Sequence, residues 1–157
     1  MSCPAEVRIR RMRAGDVERV MEIASFLREA PHWSSLDYVA ALDPLHLPRR
    51  IVLIAADAES DAAAGFLVAS LVTPEAELET IAVAQERQRC GVGARLLSAL
   101  VGELKTERVT ELRLEVRASN GAALQFYRGQ GFNEAGRRAR YYADPEEDAM
   151  LMEMRLI

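Results

Sequence analysis

The sequence is short of lysine, cysteine and histidine, and each shortage excludes something. One lysine stands against nineteen arginines, and the formal net charge is −4. A general nucleic-acid binder is usually strongly basic, so no nucleic-acid partner is expected. A mildly acidic chain is compatible with a cationic substrate. The two cysteines, Cys3 and Cys90, form neither a metal-ligand pattern nor a disulfide framework, which suits a reducing cytosol. Neither His32 nor His46 has a metal-ligand partner at useful spacing, so no metal is expected. Long apolar runs are missing too. Stretches such as Ile51 to Ala56 fall far short of the roughly 18 residues that a membrane span needs. The first fifteen residues hold four arginines and one acid but no apolar run, so no secretory signal is read, no membrane partner is expected, and the expected location is cytoplasmic.

What is present is the balance of an ordinary globular protein, with 50% hydrophobic and 28% charged residues in a chain of 157. That length suits one domain, residues 1–157, around one core. Glu6 to Arg13 alternates and reads as a strand. Asp16 is placed to cap a helix carrying Val17, Val20, Met21, Ala24 and Leu27, with Pro31 as its stop. Ser34 and Asp37 have the spacing of a capping start for a short helix near Tyr38, which Asp43-Pro44 should break. Ile51–Ala56 and Gly65–Val72 resemble a hairpin around a polar tip, and Glu77–Val83 is a third strand. Gly91 to Lys105 reads as a helix with Val92, Leu96, Leu97, Leu100 and Leu104 on one side. Glu111–Val116 is a strand. Ser119 is placed to cap a helix through about Gln130, with Gly131 where a C′ glycine belongs. A weak strand near Arg140–Tyr142 and an alternating final strand from Met150 complete the order β-α-α-β-β-β-α-β-α-β-β. The expected fold class is α/β (α+β): a mixed, twisted sheet flanked by helices.

The most informative stretch runs from strand through glycine turn to helix, with the pattern Gln88-x-x-Gly91-x-Gly93. Glycines let backbone N–H groups approach a ligand closely, because no Cβ intervenes. Those amides and the helix N-terminus together make an anion site, to which Arg87 and Arg89 would add positive charge. Spacing alone leaves a plain glycine turn open. A P-loop fails, since no Gly-Lys-Ser/Thr follows. A dinucleotide fingerprint finds Leu96 at its third glycine position and strands before it where none belong.

This pattern resembles the acetyl-CoA signature of the GNAT superfamily of N-acetyltransferases. Leu114 to Tyr142, LEVRASNGAALQFYRGQGFNEAGRRARYY, further resembles the RimI-type branch, which acetylates the N-terminal alanine of a ribosomal protein. The match is strongest from Glu77 to Tyr142 and looser before it. The resemblance implies a GNAT fold and acetyl-CoA as cosubstrate. It implies that the backbone of Ile81, Ala82 and Val83 pairs with the pantetheine arm. Gln88 belongs to the cofactor signature, and Arg89, Cys90, Gly91, Val92, Gly93 and Ala94 match the pyrophosphate loop, where Cys90 replaces a more usual polar residue. Asn120 matches a cofactor contact, Glu115 the proposed general base and Tyr127 the general acid. Trp33, after His32, resembles the Pro-Trp of the relatives' helix loop, and Tyr141-Tyr142 a tyrosine pair lining their peptide groove.

Chemistry requires a comparable set without the family. A primary amine is mostly protonated at neutral pH and cannot attack a thioester until a base removes a proton, while the departing thiolate is helped by a donor. The chain shows no obvious Cys-His or Ser-His pair for a covalent route. Glu115 near a strand end and Tyr127 in the next helix can share one cleft. Glu115 alone also reads as a solvated acid beside Arg117, and Tyr127 as a core aromatic beside Phe126. Glu79 competes for the role of base, Asn120 also reads as a helix-start residue, and a lone Trp33 as core. Adjacent strand residues face opposite ways, so only one of Tyr141 and Tyr142 need face a substrate. The expected function is transfer of acetyl to a primary amine, the favoured acceptor being a protein or peptide N-terminus such as that of a ribosomal protein. A small-molecule amine and a non-catalytic acyl-CoA sensor are the alternatives. The oligomeric state is not legible.

Overall fold

The computed structural model describes residues 6–27, 33–143 and 145–156. Its elements run β1 (Val7–Arg11), α1 (Val17–Ser25), α2 (Ser35–Ala41), β2 (Arg49–Asp57), β3 (Ala63–Val72), β4 (Glu75–Val83), α3 (Val92–Thr106), β5 (Glu111–Arg117), α4 (Gly121–Gly129), β6 (Asn133–Ala143) and β7 (Glu146–Arg155). All seven strands form one mixed sheet in the order β1-β2-β3-β4-β5-β7-β6. Only the β4–β5 pair is parallel.

Helices cover both faces, and this explains the strand patterns. In β3 every residue from Ala63 to Leu71 is buried, as a continuous apolar run implies for a central strand walled on both sides. Leu67, Ala69 and Leu71 join the core that holds Leu96, Leu100 and Leu104 of α3 and Leu112 of β5. Phe66 and Val68 join the other core, with Val20 and Ile23 of α1 and Tyr38 of α2. In α3 the buried set is Val92, Leu96, Leu97, Leu100 and Leu104, a helical stripe. Each such side chain contributes about 1.5–3 kcal/mol relative to remaining exposed.

The short α2 starts as its sequence implies. The Asp37 N–H donates to Ser34 Oγ at 3.2 Å and the Ser34 N–H to Asp37 Oδ2 at 2.7 Å. Elsewhere the structure corrects local expectations. Asn120, not Ser119, caps α4: its Oδ1 accepts from the Ala123 N–H at 3.2 Å. Ser119 instead donates its hydroxyl to the Glu147 carboxylate. Asp16 precedes α1 but makes no side-chain cap bond to it; its carboxylate holds the Arg13 N–H at 2.8 Å and the Arg10 guanidinium. The weak strand near Arg140 proves to be part of an eleven-residue strand, β6. Cys90 is disulfide-bonded, against the expectation of no disulfide framework. Pro31, His32 and Cys3 lie outside the described residues. Among the described residues, no helix is long and apolar enough to cross a membrane.

One irregularity shapes the molecule's functional side. β4 and β5 pair only through Glu75–Glu111, Ala76–Leu112 and Glu77–Arg113. Beyond that the two strands part: β4 keeps only β3 as a neighbour, and β5 only β7. The sheet therefore forks, leaving the facing edges of 78–83 and 114–117 without a strand ladder between them. At the fork β4 also bulges. Val68 pairs with Thr80 and Ala69 with Leu78, so Glu79 is the extra residue.

Candidate active site

The fork and the start of α3 together make a cradle. Gly91 takes φ +78 at the helix N-cap, a left-handed conformation that costs other residues roughly 1–2 kcal/mol. A Cβ there would meet nothing within 4 Å, so the requirement is conformational. No side chain caps α3, and its first internal bond is Arg95 N–H to the Gly91 carbonyl at 3.1 Å. The amides of Val92, Gly93 and Ala94 consequently have no acceptor within the helix, at the end of a fifteen-residue dipole that favours an anion. The unpaired edge of β4, running through Ile81, Ala82 and Val83, leads to this point. Backbone donors and an open strand edge fit an extended, phosphate-bearing ligand such as a coenzyme A derivative.

Residues of the expected loop divide by what they touch. Arg89 is exposed in a left-handed conformation, φ +65. Arg87, expected to add charge, is instead buried and ion-paired with Asp57, so it braces the loop. Gln88 donates from Nε2 to the Val83 carbonyl at 3.2 Å, tying the loop to the end of β4. The Gly93 Cα faces the protein interior: a Cβ would stand 3.2 Å from Phe126 Cζ and 3.9 Å from Ile81 Cδ1. The Val92 side chain is core, leaving only its amide for a ligand.

A cleft of about 200 Å³ opens at the fork. Its walls include Glu79, Thr80 and Ile81 of β4, Glu115 and Arg117 of β5, Asn120, Tyr127 of α4, Tyr142 of β6, and Leu27. Glu115 and Tyr127 thus share one space. The Glu115 side chain is 18% exposed and pairs with Arg138 at 3.3 Å. The neighbouring Glu115 carboxylate, ahead of burial, holds the Tyr141 hydroxyl above its ordinary range. Tyr127 packs edgewise on Phe126 and Phe132, at 5.4 and 5.6 Å between centroids. Burial, with a smaller contribution from Tyr142, pushes its hydroxyl up to about 12, so it remains a proton donor throughout the neutral range.

The competing acid is held differently. Glu79 receives Arg50 Nε at 2.8 Å and Nη2 at 3.2 Å, a bidentate pair of which each side chain is about a fifth exposed or less, 21% and 17%. Arg50 in turn lies 4.9 Å from the Trp33 ring centroid. Trp33 packs on Tyr38 at 5.2 Å and on the α1–α2 core, and it is not among the residues of the cleft wall. Glu79 thus carries two guanidinium hydrogen bonds, whereas Glu115 has one longer ion pair.

The tyrosine pair departs from strict alternation. β6 shifts register between Arg138 and Tyr142, with Arg140 at φ +53 and its N–H bonded to Asp148 at 3.0 Å. Tyr142 therefore reaches the cleft beneath the Arg117 guanidinium, 4.4 Å from its ring, while Tyr141 reaches Glu115. Arg50, Arg138 and Glu77 escaped the sequence reading. Glu75, Glu77 and Glu79 at every second position were a visible signal; nothing marks Arg50 or Arg138. No group of three or more His, Cys, Asp or Glu suited to a metal occurs among the described residues.

The model of the acetyltransferase (GNAT) family matches residues 17–132. A ribosomal protein bS18-alanine N-acetyltransferase of Salmonella typhimurium is 48% identical over 94 residues, which cover 59% of this chain and 64% of that enzyme. The counterpart in Haemophilus influenzae is 34% identical over 147 residues, 92% of this chain and 95% of the relative. Among solved structures, the ribosomal-protein-S18-alanine N-acetyltransferase of Escherichia coli superposes with a TM-score of 0.82 at 33% identity, covering 96% and 94% of the two chains.

Proposed function

The chain belongs to the GNAT family of acetyltransferases, and from that premise we propose that it transfers the acetyl group of acetyl-CoA directly to the α-amine of a protein N-terminus, with the N-terminal alanine of a ribosomal protein as the favoured acceptor. The observation that carries the reading is the convergence of Glu115, Tyr127 and the open edge of β4 on one cleft beside the uncapped α3 terminus.

Acetyl-CoA supplies the acyl group as a thioester with a thiolate leaving group. The amides at the start of α3 and the Arg89 side chain hold its pyrophosphate, and the β4 edge from Ile81 to Val83 takes its amide-bearing arm. Asn120 lines the same channel. Glu115 accepts a proton from the acceptor's ammonium, directly or through a water, as the nitrogen attacks the carbonyl carbon. Tyr127 donates a hydrogen bond to the sulfur as the C–S bond breaks. Tyr142 and Tyr141 flank the incoming N-terminus, and Trp33 acts at one remove by holding Arg50 against Glu79.

The chemistry favours an α-amine over lysine. Its pKa of about 7.7–8.0 leaves roughly a tenth neutral at pH 7, against a few parts in ten thousand for lysine at about 10.4. One modest base therefore serves an N-terminus far better than a lysine side chain. The test is release of free CoA with Ala-, Ser- and Met-initiated peptides, Nα-blocked lysine-containing peptides, and small polyamines. Turnover of free N-termini alone supports the proposal. Equal turnover of blocked peptides overturns the α-amine assignment, turnover of polyamines alone makes the enzyme a small-amine acetylase, and acetyl-CoA binding without turnover of any amine makes the chain a sensor.

A further inference from the structure

The loop that presents the α3 amides is held in an unfavourable shape. Arg89 takes φ +65 and Gly91 φ +78, two left-handed residues within three positions. Glycine tolerates that region, but an arginine there is strained. Such a residue persists only where its surroundings over-determine it. Here the surroundings are the end of the β2–β3 hairpin. The Ala84 N–H donates to the Ala64 carbonyl at 2.8 Å, and the Arg87 N–H to the Ala84 carbonyl at 2.8 Å. From α1, Arg19 donates to the Ala63 carbonyl and to the Glu86 carboxylate, each at 3.2 Å.

The side-chain tie is the Arg87–Asp57 pair. Asp57 closes β2, and its two oxygens have separate duties. Oδ1 accepts from the Glu59 and Ser60 N–H groups, both at 2.9 Å, which shapes the hairpin turn. Oδ2 accepts from Arg87 Nη2. Arg87 is buried and Asp57 half-buried, so the pair is shielded more than a surface ion pair. It stands only two residues before the strained Arg89.

We infer that Arg87 and Asp57 are positioning residues for the coenzyme A pyrophosphate: they set its affinity by fixing the loop, not by touching it. The inference rests on the acetyl-CoA reading above. It has a sign that simple charge does not share. Coenzyme A is polyanionic, so neutralising Asp57 removes a repulsive charge and gives Arg87 an unbalanced one, which by Coulomb attraction alone tightens binding. If the pair instead pre-organises the loop, neutralising Asp57 lets Arg89 relax from its left-handed state, and binding must restore it.

The experiment measures CoA binding by calorimetry, with urea melts as the control for folding. Asp57→Asn keeps the oxygen that serves the turn and breaks only the tie to Arg87. It and Arg87→Met should each weaken CoA about tenfold, or about 1.4 kcal/mol. KM for acetyl-CoA should rise with kcat little changed, and Arg87→Lys should recover part of the loss. The Arg87→Met/Asp57→Asn double variant should lose no more than either single one. With S-acetylpantetheine, a donor that lacks the pyrophosphate, kcat/KM should be the same in all of them. If Arg87→Met fails to fold, Asp57→Asn and Arg87→Lys decide. Unchanged or tighter CoA binding in Asp57→Asn overturns the inference, as does a loss of stability with affinity intact. An equal loss with S-acetylpantetheine also overturns it. Wild-type protein that binds no CoA overturns the acetyl-CoA reading itself.

Discussion

Replacing Tyr127 by phenylalanine removes one oxygen and leaves a ring whose neighbours, Phe126 and Phe132, hold it at 5.4 and 5.6 Å. Folding should survive at neutral pH. The hydroxyl sits at about 12 because burial disfavours the phenolate. A thiol titrates near 8.5, so complete proton transfer to a departing thiolate is uphill by roughly 3.5 units, or about 5 kcal/mol. Tyr127 therefore acts chiefly through a hydrogen bond to a sulfur gaining charge. Such bonds contribute about 1.5–3 kcal/mol, which makes the expected loss in kcat for Tyr127→Phe about tenfold to a hundredfold, with KM for acetyl-CoA little changed. A kcat within about threefold of wild type refutes this. The same shift has a stability consequence. A pKa raised by folding gives stability that is intact below the unfolded value and lost as pH climbs toward the folded one. The window is thus about pH 10 to 12, and by pH 11 the loss from this group reaches about 1.4 kcal/mol. Urea unfolding at pH 9 and pH 11 should show wild type losing that much more than Tyr127→Phe. Parallel losses in the two proteins contradict the buried-phenol assignment.

Gly91→Ala should cost roughly 1–2 kcal/mol of stability from its left-handed backbone alone, and should weaken acetyl-CoA binding measured by calorimetry; unchanged stability and affinity would sink the cradle. Arg50→Met leaves Glu79 half-buried and unpaired, so we expect about 1–3 kcal/mol of destabilisation in denaturant melts, partly recovered in the Arg50→Met/Glu79→Gln double variant. Additive losses would show that the pair contributes nothing. The Arg10 guanidinium, ahead of the Arg13 N–H, holds the Asp16 carboxyl below its ordinary range. Its contribution is present above the unfolded carboxylate value of about 3.9 and is lost as pH falls below it. Asp16→Asn should therefore be less stable at pH 6 and flatter between pH 4 and 2, which acid-melt curves can check.

The sequence was legible where one physical rule acted alone. The stripe of α3, the Ser34–Asp37 box and the buried run of β3 follow from periodicity and capping, and their order assembles the sheet. It was illegible where two rules competed. Ser119 and Asn120 both suit a helix start, and Glu147, twenty-eight residues away, decides between them by taking the serine hydroxyl. Alternation places Tyr141 and Tyr142 on opposite faces, but a register shift with a left-handed Arg140 turns both toward Glu115 and the cleft. The β4 bulge, which adds Glu79 without a β3 partner, has no residue signature. Arg87 looks from spacing like a phosphate ligand, and only the fold brings Asp57 to it. Gly93 belongs to the glycine pattern, yet its constraint is the Phe126 ring. Aspartate there would disturb packing as well as charge, so Gly91 is the cleaner probe of the anion site.

The most direct measurement joins the base to the acceptor: a pH–rate series for wild type, Glu115→Gln and Glu79→Gln on an Ala-initiated peptide with an internal lysine, with the acetyl group located by fragment mass spectrometry. General-base loss typically costs on the order of 10²–10⁴ in rate. Our account predicts acetylation of the α-nitrogen alone, a fall of that order in kcat for Glu115→Gln that eases at high pH as the amine deprotonates itself, and a change mainly in KM for Glu79→Gln. Acetyl on the lysine at a comparable rate, or the greater kcat loss in Glu79→Gln, would contradict it.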